Sequence, residues 1–315
     1  MNKKILISGG AGFIGSHLCD YFINNGDTIW CIDNFITSEK TNIKHLLNKK
    51  NFIFIEKDIT KINEKKIKEK FDYVLHFASP ASPVDYMKYP IETLKVNSIG
   101  TEKMLKIALN SNSVFLFAST SEVYGDPLIP VQNEQYWGNV NPIGLRSVYD
   151  EGKRYGEAIT MAYHRKYKLN TKIIRIFNTY GPRMRLNDGR VIPNFIFYAL
   201  NNKPLPIYGD GKQTRSFCYI EDLIDGIVKV LDVNYNLPIN LGNPEEFTII
   251  ELAEKIEKIF EKKLGIQYFP GLPDDPRKRK PDITLAKKIL NWEPKIKLEE
   301  GLKRTVEYYT NLSKF

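Results

Sequence analysis

The apolar run Ile5-Leu6-Ile7 meets a turn holding Gly9, Gly10, Gly12 and Gly15, and an amphipathic stretch follows at once through Phe13, Ile14 and Leu18. Glycine allows a tight turn with positive φ, and its missing side chain lets the following helix pack close to the strand. A helix opened this way presents unpaired N–H groups and the positive end of its dipole to any anion at the turn. Glycines also collect at strand–helix junctions for packing alone. Here the strand before and the helix after supply the surroundings that a dinucleotide fingerprint requires, so Gly9, Gly12, Phe13, Ile14 and Gly15 are read as a pyrophosphate cradle.

A second apolar run, Thr28 to Ile32, ends on Asp33, about 20 residues beyond the glycines. A carboxylate there accepts hydrogen bonds from a ribose 2′-hydroxyl and repels a 2′-phosphate, which selects NAD over NADP. The competing reading has Asp33 capping a turn with Asn34. Asp58, closing Phe52 to Ile55, is placed to meet the adenine amine, although aspartates often end strands.

Strand-like and helix-like segments alternate through the first half. Strands are expected at 4–8, 28–32, 52–55, 73–77, 114–118 and 172–177, with helices notably at 92–111 and 149–168. This alternation predicts an α/β fold, a doubly wound parallel Rossmann sheet with helices on both faces. After Phe177 the texture changes. Tyr180-Gly181-Pro182, Asn187-Asp188-Gly189 and Tyr208-Gly209-Asp210-Gly211 mark a smaller, loop-rich C-terminal substrate lobe. Helices at 221–232 and 250–263 and a strand at 238–241 complete the expected elements. The expected division is residues 1–178 with about 216–242 for NAD, and about 179–215 with 243–315 for substrate.

Composition bounds the partners. A chain of 315 residues has room for one large or two modest domains. No apolar run approaches the roughly 20 residues that span a bilayer. The first strand begins near residue 4, which leaves no room for a leader, and three cysteines without metal-ligand spacing suit a reducing cytosol. A cytoplasmic enzyme without a metal is expected. The net charge of +9 raises the question of nucleic acid, but the lysines are interspersed with glutamates as on solvated helix faces. The tighter cluster Arg277-Lys278-Arg279-Lys280 reads as a nucleic-acid patch or, more economically, as a clamp for a phosphorylated substrate.

Chemistry gathers where strands end. The 114–118 strand runs into Ser119-Thr120-Ser121-Glu122, and some thirty residues later Tyr149 and Lys153 stand at i, i+4 on one helix face. A free tyrosine titrates near 10 and is a poor base at neutral pH, but a neighbouring ammonium favours the phenolate. Such a pair can take a proton from a sugar hydroxyl as hydride leaves for NAD.

Together these motifs resemble the extended short-chain dehydrogenase/reductase family, and within it the UDP-glucuronate decarboxylases (UDP-xylose synthases). The likeness runs from residue 5 to about 303, through His76 to Pro83, Thr120 to Pro127, Tyr136 to Pro142, Tyr149 to Arg154, Arg175 to Met184, Asp188 to Val191, Gln213 to Phe217 and Asp274 to Asp282. The resemblance implies oxidation at C4, loss of carbon dioxide from the resulting β-keto acid, reprotonation at C5 and return of the hydride. By resemblance Tyr149 is the base at O4, Lys153 lowers its pKa and holds the nicotinamide ribose, and Thr120 bonds O4. Glu122 assists decarboxylation and reprotonation, directly or through water, and Ser121 and Arg279 match positions near the sugar carboxylate, where Arg279 holds the carboxylate or distorts the ring. The cofactor set extends to Asn34, Phe35, Asp58, Ile59, Phe77, Ala78, Ser79, Asn97 and Ser119. Lys95, Asn178, Arg190, Tyr208, Gln213 and Arg215 hold the UDP-sugar, and the two long helices pair in a homodimer.

Plainer readings exist for each. Glu122 caps a turn, Arg279 is a surface charge, and Ser119 and Ser121 serve only a strand end. Glu134 and Asp150 are ordinary local charges, His76 is a satisfied core histidine and His17 packs on its helix. Phe77 and Val148 depart from the leucine and cysteine of many relatives, without consequence for the reaction. The nearest rivals share C4 oxidation: a nucleotide-sugar 4-epimerase, a 4,6-dehydratase, or an enzyme forming UDP-apiose or the 4-keto pentose. A non-catalytic dinucleotide sensor or nucleic-acid binder is the rival of a different class; the intact Thr120, Tyr149 and Lys153 speak against it.

Overall fold

The computed structural model describes residues 2–271 and 279–312. Its centre is a parallel sheet whose strands are apolar on both faces, as buried parallel strands must be. Strands β1 (Lys4–Ser8), β2 (Thr28–Asp33) and β3 (Phe52–Glu56) lie to one side; β4 (Tyr73–His76), β5 (Val114–Thr120) and β6 (Thr171–Ile176) continue on the other. Of the remaining short strands β7 (Thr179–Tyr180), β8 (Leu205–Tyr208), β9 (Thr214–Ser216), β10 (Cys218–Tyr219) and β11 (Pro238–Leu241), only β11 joins this sheet. The order is β11-β6-β5-β4-β1-β2-β3. Ile5 pairs with Ile29 on one neighbour and Tyr73 on the other, so the order reverses between β1 and β4. That is the point at which an open α/β sheet leaves a crevice at its carboxyl edge.

Alternation along each strand feeds two cores. Ile5 and Ile7 pack with Leu18 and Phe22 of α1 (Phe13–Asn24), whereas Leu6 faces the opposite layer. Helices α2 (Pro83–Lys88) and α3 (Pro90–Lys95) precede that layer. The layer itself is built on Met104, Leu105 and Ala108 of α4 (Thr101–Ser111) and flanked by α5 (Ser147–Tyr167). The helix expected at 92–111 is therefore not continuous. A π-turn over Val96–Gly100 separates α3 from α4, because Asn97 turns inward and donates to Thr93 O at 2.9 Å and to Ser79 Oγ at 3.0 Å. A widened turn of this kind is how a helix re-aims one side chain.

Beyond β6 the chain forms α6 (Val191–Leu200), α7 (Ile220–Asp232), strand β12 (Glu246–Thr248), α8 (Ile249–Phe260), strand β13 (Ile266–Phe269), α9 (Thr284–Leu290) and α10 (Leu298–Leu312). Strand β8 pairs with β13 and β9 with β12, away from the main sheet. Helix α8 opens on a capping box of Thr248 and Glu251 and stops at Phe260, short of the expected 263, where Glu261 turns left-handed at φ 52°. The apolar cluster containing Ile5 and Leu18 continues through Phe195, Leu205 and Leu252 to Leu302. Trp292 is buried within it, its indole donating to Asp222 O at 2.9 Å.

Candidate active site

A cleft of about 450 Å³ opens along the carboxyl ends of β1, β4, β5 and β6. Gly9, Gly12, Phe13, Ile14 and Gly15 form one wall. Gly9 holds φ +74°, and a Cβ at Gly15 would stand 2.1 Å from Gly9 O, so neither position tolerates a side chain without displacing backbone. Helix α1 begins at Gly12 with no side-chain cap. Its first N–H groups thus remain for a phosphate, and the cradle fits a dinucleotide.

Asp33 closes β2 beside this turn. Its carboxylate accepts from Ala11 N at 3.0 Å, Phe35 N at 3.0 Å and Ser38 Oγ at 2.6 Å, so it braces the glycine turn as well as ending the strand. Neither Asp33 nor Asn34, Phe35, Asp58, Ile59, Ala78 or Asn97 lines the cleft; Phe77, Ser79 and Ser119 do. Asn34 accepts from Ile36 N at 3.2 Å, and Phe35 packs on Phe54. Asp58 caps the turn over Ile59–Lys61 by accepting from Thr60 N at 2.9 Å, and Ile59 is buried in the second core. Asn97 stands behind Ser79, and the Ser119 hydroxyl is bound to Glu157 at 2.6 Å. Lys95, expected at the substrate, is exposed and lies outside the cleft lining.

Thr120, Ser121, Glu122, Tyr149, Lys153 and Arg279 converge from the end of β5, the first turns of α5 and the segment before α9. Lys153 donates to Ala118 O at 2.9 Å, with Nζ 5.7 Å from the centre of the Tyr149 ring. Burial dominates both groups. It pulls the Lys153 ammonium down to about 7. It also pushes the Tyr149 phenol above its ordinary value, opposed chiefly by the Thr120 hydroxyl that faces it. In these side chains alone desolvation penalises both charged forms.

The Glu122 side chain is only 17% exposed, and burial pushes its carboxyl up. The guanidiniums of Arg279 and Arg146, with Arg215 behind them, outweigh that and hold it below its usual range. Arg279 itself is 2% exposed, not a surface charge; it donates to Ser121 O at 2.8 Å, Gly125 O at 3.1 Å and Glu122 at 3.1 Å. Its neighbours Arg277 and Lys278, and Asp274 and Asp275, lie outside the described residues.

Asn178, Arg190, Tyr208, Gln213 and Arg215 also line the cleft, with Arg190 close enough to act on Tyr149 and Arg215 on Glu122. Arg190 forks onto Asp188, Tyr208 stacks on Phe269, and Gln213 donates to Tyr208 O at 2.7 Å. Several lining residues escaped the sequence reading. Tyr86 stacks on Tyr149 with ring centres 5.1 Å apart, and Arg146 pairs with Glu122. Arg146 stands three residues before Tyr149, a helical spacing that shares its face and was the available signal. Asp150 and Glu134 are not bland surface charges: Asp150 is 5% exposed, and Glu134 accepts from Asn240 N at 2.8 Å. His76 is a satisfied core residue, bonded to Ser8 Oγ at 2.7 Å and pulled down to about 3 by burial and then by Lys153. His17 packs edge-on against Phe13 of its own helix, as expected, and its Nε2 also bonds Pro182 O at 3.0 Å. Among the described residues no His/Cys/Asp/Glu group is arranged to hold a metal, and no helix is long and apolar enough to cross a membrane.

Comparison with known proteins agrees with this architecture. Residues 5–242 match the NAD dependent epimerase/dehydratase family. UDP-glucuronic acid decarboxylase 1 of Arabidopsis thaliana is 50% identical over 308 residues, 98% of this chain and 70% of that protein. The Danio rerio protein of the same name is 48% identical, covering 98% of this chain and 73% of its own. The solved structure of UDP-glucuronic acid 4-epimerase from Bacillus cereus, in complex with UDP-glucuronic acid and NAD, is 32% identical with a TM-score of 0.87, covering 98% of this chain and 99% of that one. The chain belongs to the NAD dependent epimerase/dehydratase family and, within it, to the UDP-glucuronic acid decarboxylases.

Proposed function

We propose that this protein converts UDP-glucuronate to UDP-xylose and carbon dioxide, with NAD retained through the cycle. The observation that carries the reading is the meeting of Tyr149, Lys153 and Thr120 with the Glu122–Arg279 ion pair in one cleft at the sheet's switch point. A proton-abstracting set thereby lies beside a carboxylate-binding one.

The glycine turn would hold NAD, with Asp33 bracing that turn and Ser119 lining the cleft beside it; when bound, NAD supplies a reversible two-electron oxidation at sugar C4. Tyr149 takes the O4 proton, with Thr120 hydrogen-bonded to O4. Burial makes phenolate costly, so Lys153 serves as its countercharge and holds the nicotinamide ribose. The 4-keto sugar is a β-keto acid, whose carbonyl accepts the electron pair left as carbon dioxide departs. Arg279 and Ser121 orient the carboxylate, the guanidinium fork fixing its plane. Glu122 then directs a proton to C5. Asn178, Arg190, Tyr208, Gln213 and Arg215 hold the uridine diphosphate, two guanidiniums suiting its charge.

We assign residues 1–178 with about 216–242 to cofactor binding and the remainder to substrate. A homodimer through the helices at 92–111 and 149–168 is supported by exposed Ile91 and Leu94 on α3 and Tyr155 on α5. A reducing, cytosolic setting is supported by three free, buried cysteines.

Purified protein given UDP-glucuronate and NAD should form UDP-xylose with no net NADH. Tyr149→Phe should lose roughly 10²–10⁴-fold in rate while binding NAD as before. Formation of UDP-galacturonate, accumulation of a 4-keto pentose with NADH, or no reaction would each reject the assignment.

A further inference from the structure

Two guanidiniums share one oxygen of Glu122, and they are held very differently. Arg279 is fixed: its Nη1 is spent on the carbonyls of Ser121 and Gly125, and its side chain is 3% exposed. Arg146 lines the cleft with its side chain 20% exposed, and Glu122 is the group its guanidinium bonds. Its main chain is anchored, because Arg146 O accepts from Tyr149 N at 3.0 Å and Asp150 N at 3.1 Å as α5 begins. The backbone is therefore anchored, while the side chain lines the cleft and keeps more exposure than that of Arg279.

A substrate carboxylate arriving at Arg279 brings a second anion to a pair of cations already bridged by one. Fork-shaped guanidiniums bind carboxylates through two parallel N–H bonds, and Arg146 is the one free to turn. We infer that Arg146 binds the C6 carboxylate of UDP-glucuronate jointly with Arg279, exchanging its contact from Glu122 to the substrate; this rests on the decarboxylase reading above. Glu122 loses half of its clamp in the exchange and takes up one proton from solvent. When the C5–C6 bond breaks and carbon dioxide leaves, the electron pair resides on the enolate, and C5 receives that proton. Glu122, again a carboxylate, recovers Arg146. One proton is consumed per carbon dioxide, as the conversion of a carboxylate to a C–H bond requires. The other groups facing Glu122 are Tyr86 of α2, Tyr149 and Asp150 of α5, and Arg215 of β9.

The test is calorimetric binding to NAD-loaded protein, comparing UDP-glucuronate with UDP-glucose, which carries a hydroxymethyl group in place of the carboxylate. Arg146→Gln is made in the wild-type and in the Glu122→Gln background. The expected result is loss of about tenfold or more for UDP-glucuronate in both backgrounds, with less than about twofold for UDP-glucose. If Arg146 merely neutralises Glu122, its removal changes nothing once Glu122 is uncharged, and the inference is overturned. Equal loss for both ligands overturns it as well. Should Arg146→Gln unfold, Arg146→Lys carries the comparison: selective loss of UDP-glucuronate supports the assignment and wild-type selectivity rejects it. Failure of the unmodified protein to bind or convert UDP-glucuronate would instead reject the decarboxylase reading.

Discussion

Asp150 sits between Tyr149 and Glu151 in sequence, where it looks like any helix-opening acid. In the fold it is 5% exposed and its Oδ1 has no hydrogen-bond partner. Burial first, and then Glu122, push its carboxyl up to about 7 against the pull of Arg146. The unfolded chain gives up this proton near pH 4, whereas the folded protein keeps it to about pH 7. The folded state thus binds more protons across that window, and stability falls as pH rises through it. Asp150→Asn removes this dependence. Urea unfolding should show the variant gaining on the wild type between pH 5 and pH 8; a constant difference across that range would show that Asp150 is not the group responsible. The sequence identified Tyr149 and Lys153 by their spacing but not the sign of their shifts. Spacing reports which side chains are neighbours on a helix, whereas burial is decided by what packs on top of it.

At the scale of elements, the glycine turn and α1 act as one unit. A Cβ at Gly15 would collide with Gly9 O at 2.1 Å, so the helix start and the strand end separate together. Gly15→Ala should cost about 1–3 kcal/mol and weaken NAD binding at least about tenfold. Thr248→Ala is the matched control: it removes the cap of α8 and costs about 1 kcal/mol, yet leaves NAD affinity unchanged. Thermal melts and NAD titration of the two variants separate these outcomes. The strands were legible because a buried parallel strand is apolar on both faces over most of its length. The break between α3 and α4 was not, because its cause is Ser79, met by Asn97 from 18 positions along the chain.

At the scale of the whole molecule, the site depends on a clasp between distant segments. Gln132 is fully buried; its N–H reaches Lys280 O at 2.9 Å, its Oε1 receives Lys280 N at 2.8 Å, and its carbonyl receives Asp282 N at 2.8 Å. Asn240, from β11, donates to the same carbonyl at 3.0 Å. This arrangement fixes the segment that carries Arg279 against the end of β5. Gln132→Ala keeps the main-chain bonds but removes the Oε1 acceptor and leaves Lys280 N unpaired, so it should lower turnover roughly tenfold and stability by about 1–3 kcal/mol, with NAD affinity changed less than about twofold. A parallel loss of NAD affinity in ligand titrations would mean that the clasp supports the fold at large and not the position of Arg279.

Local pattern alone set the doubly wound sheet, the dinucleotide turn and the Tyr149–Lys153 pair, because each is written in contiguous residues or in helical spacing. Only the tertiary structure decided that Arg279 is buried against Glu122, that Arg146 shares that carboxylate, that Asp33 braces the turn it was expected to serve, and that Lys95 stands outside the cleft. The physical reason is common to all four. Electrostatic partners and desolvation depend on distances across the fold, and residues 24 and 157 positions from Glu122 meet it only once the sheet has brought their segments to one edge.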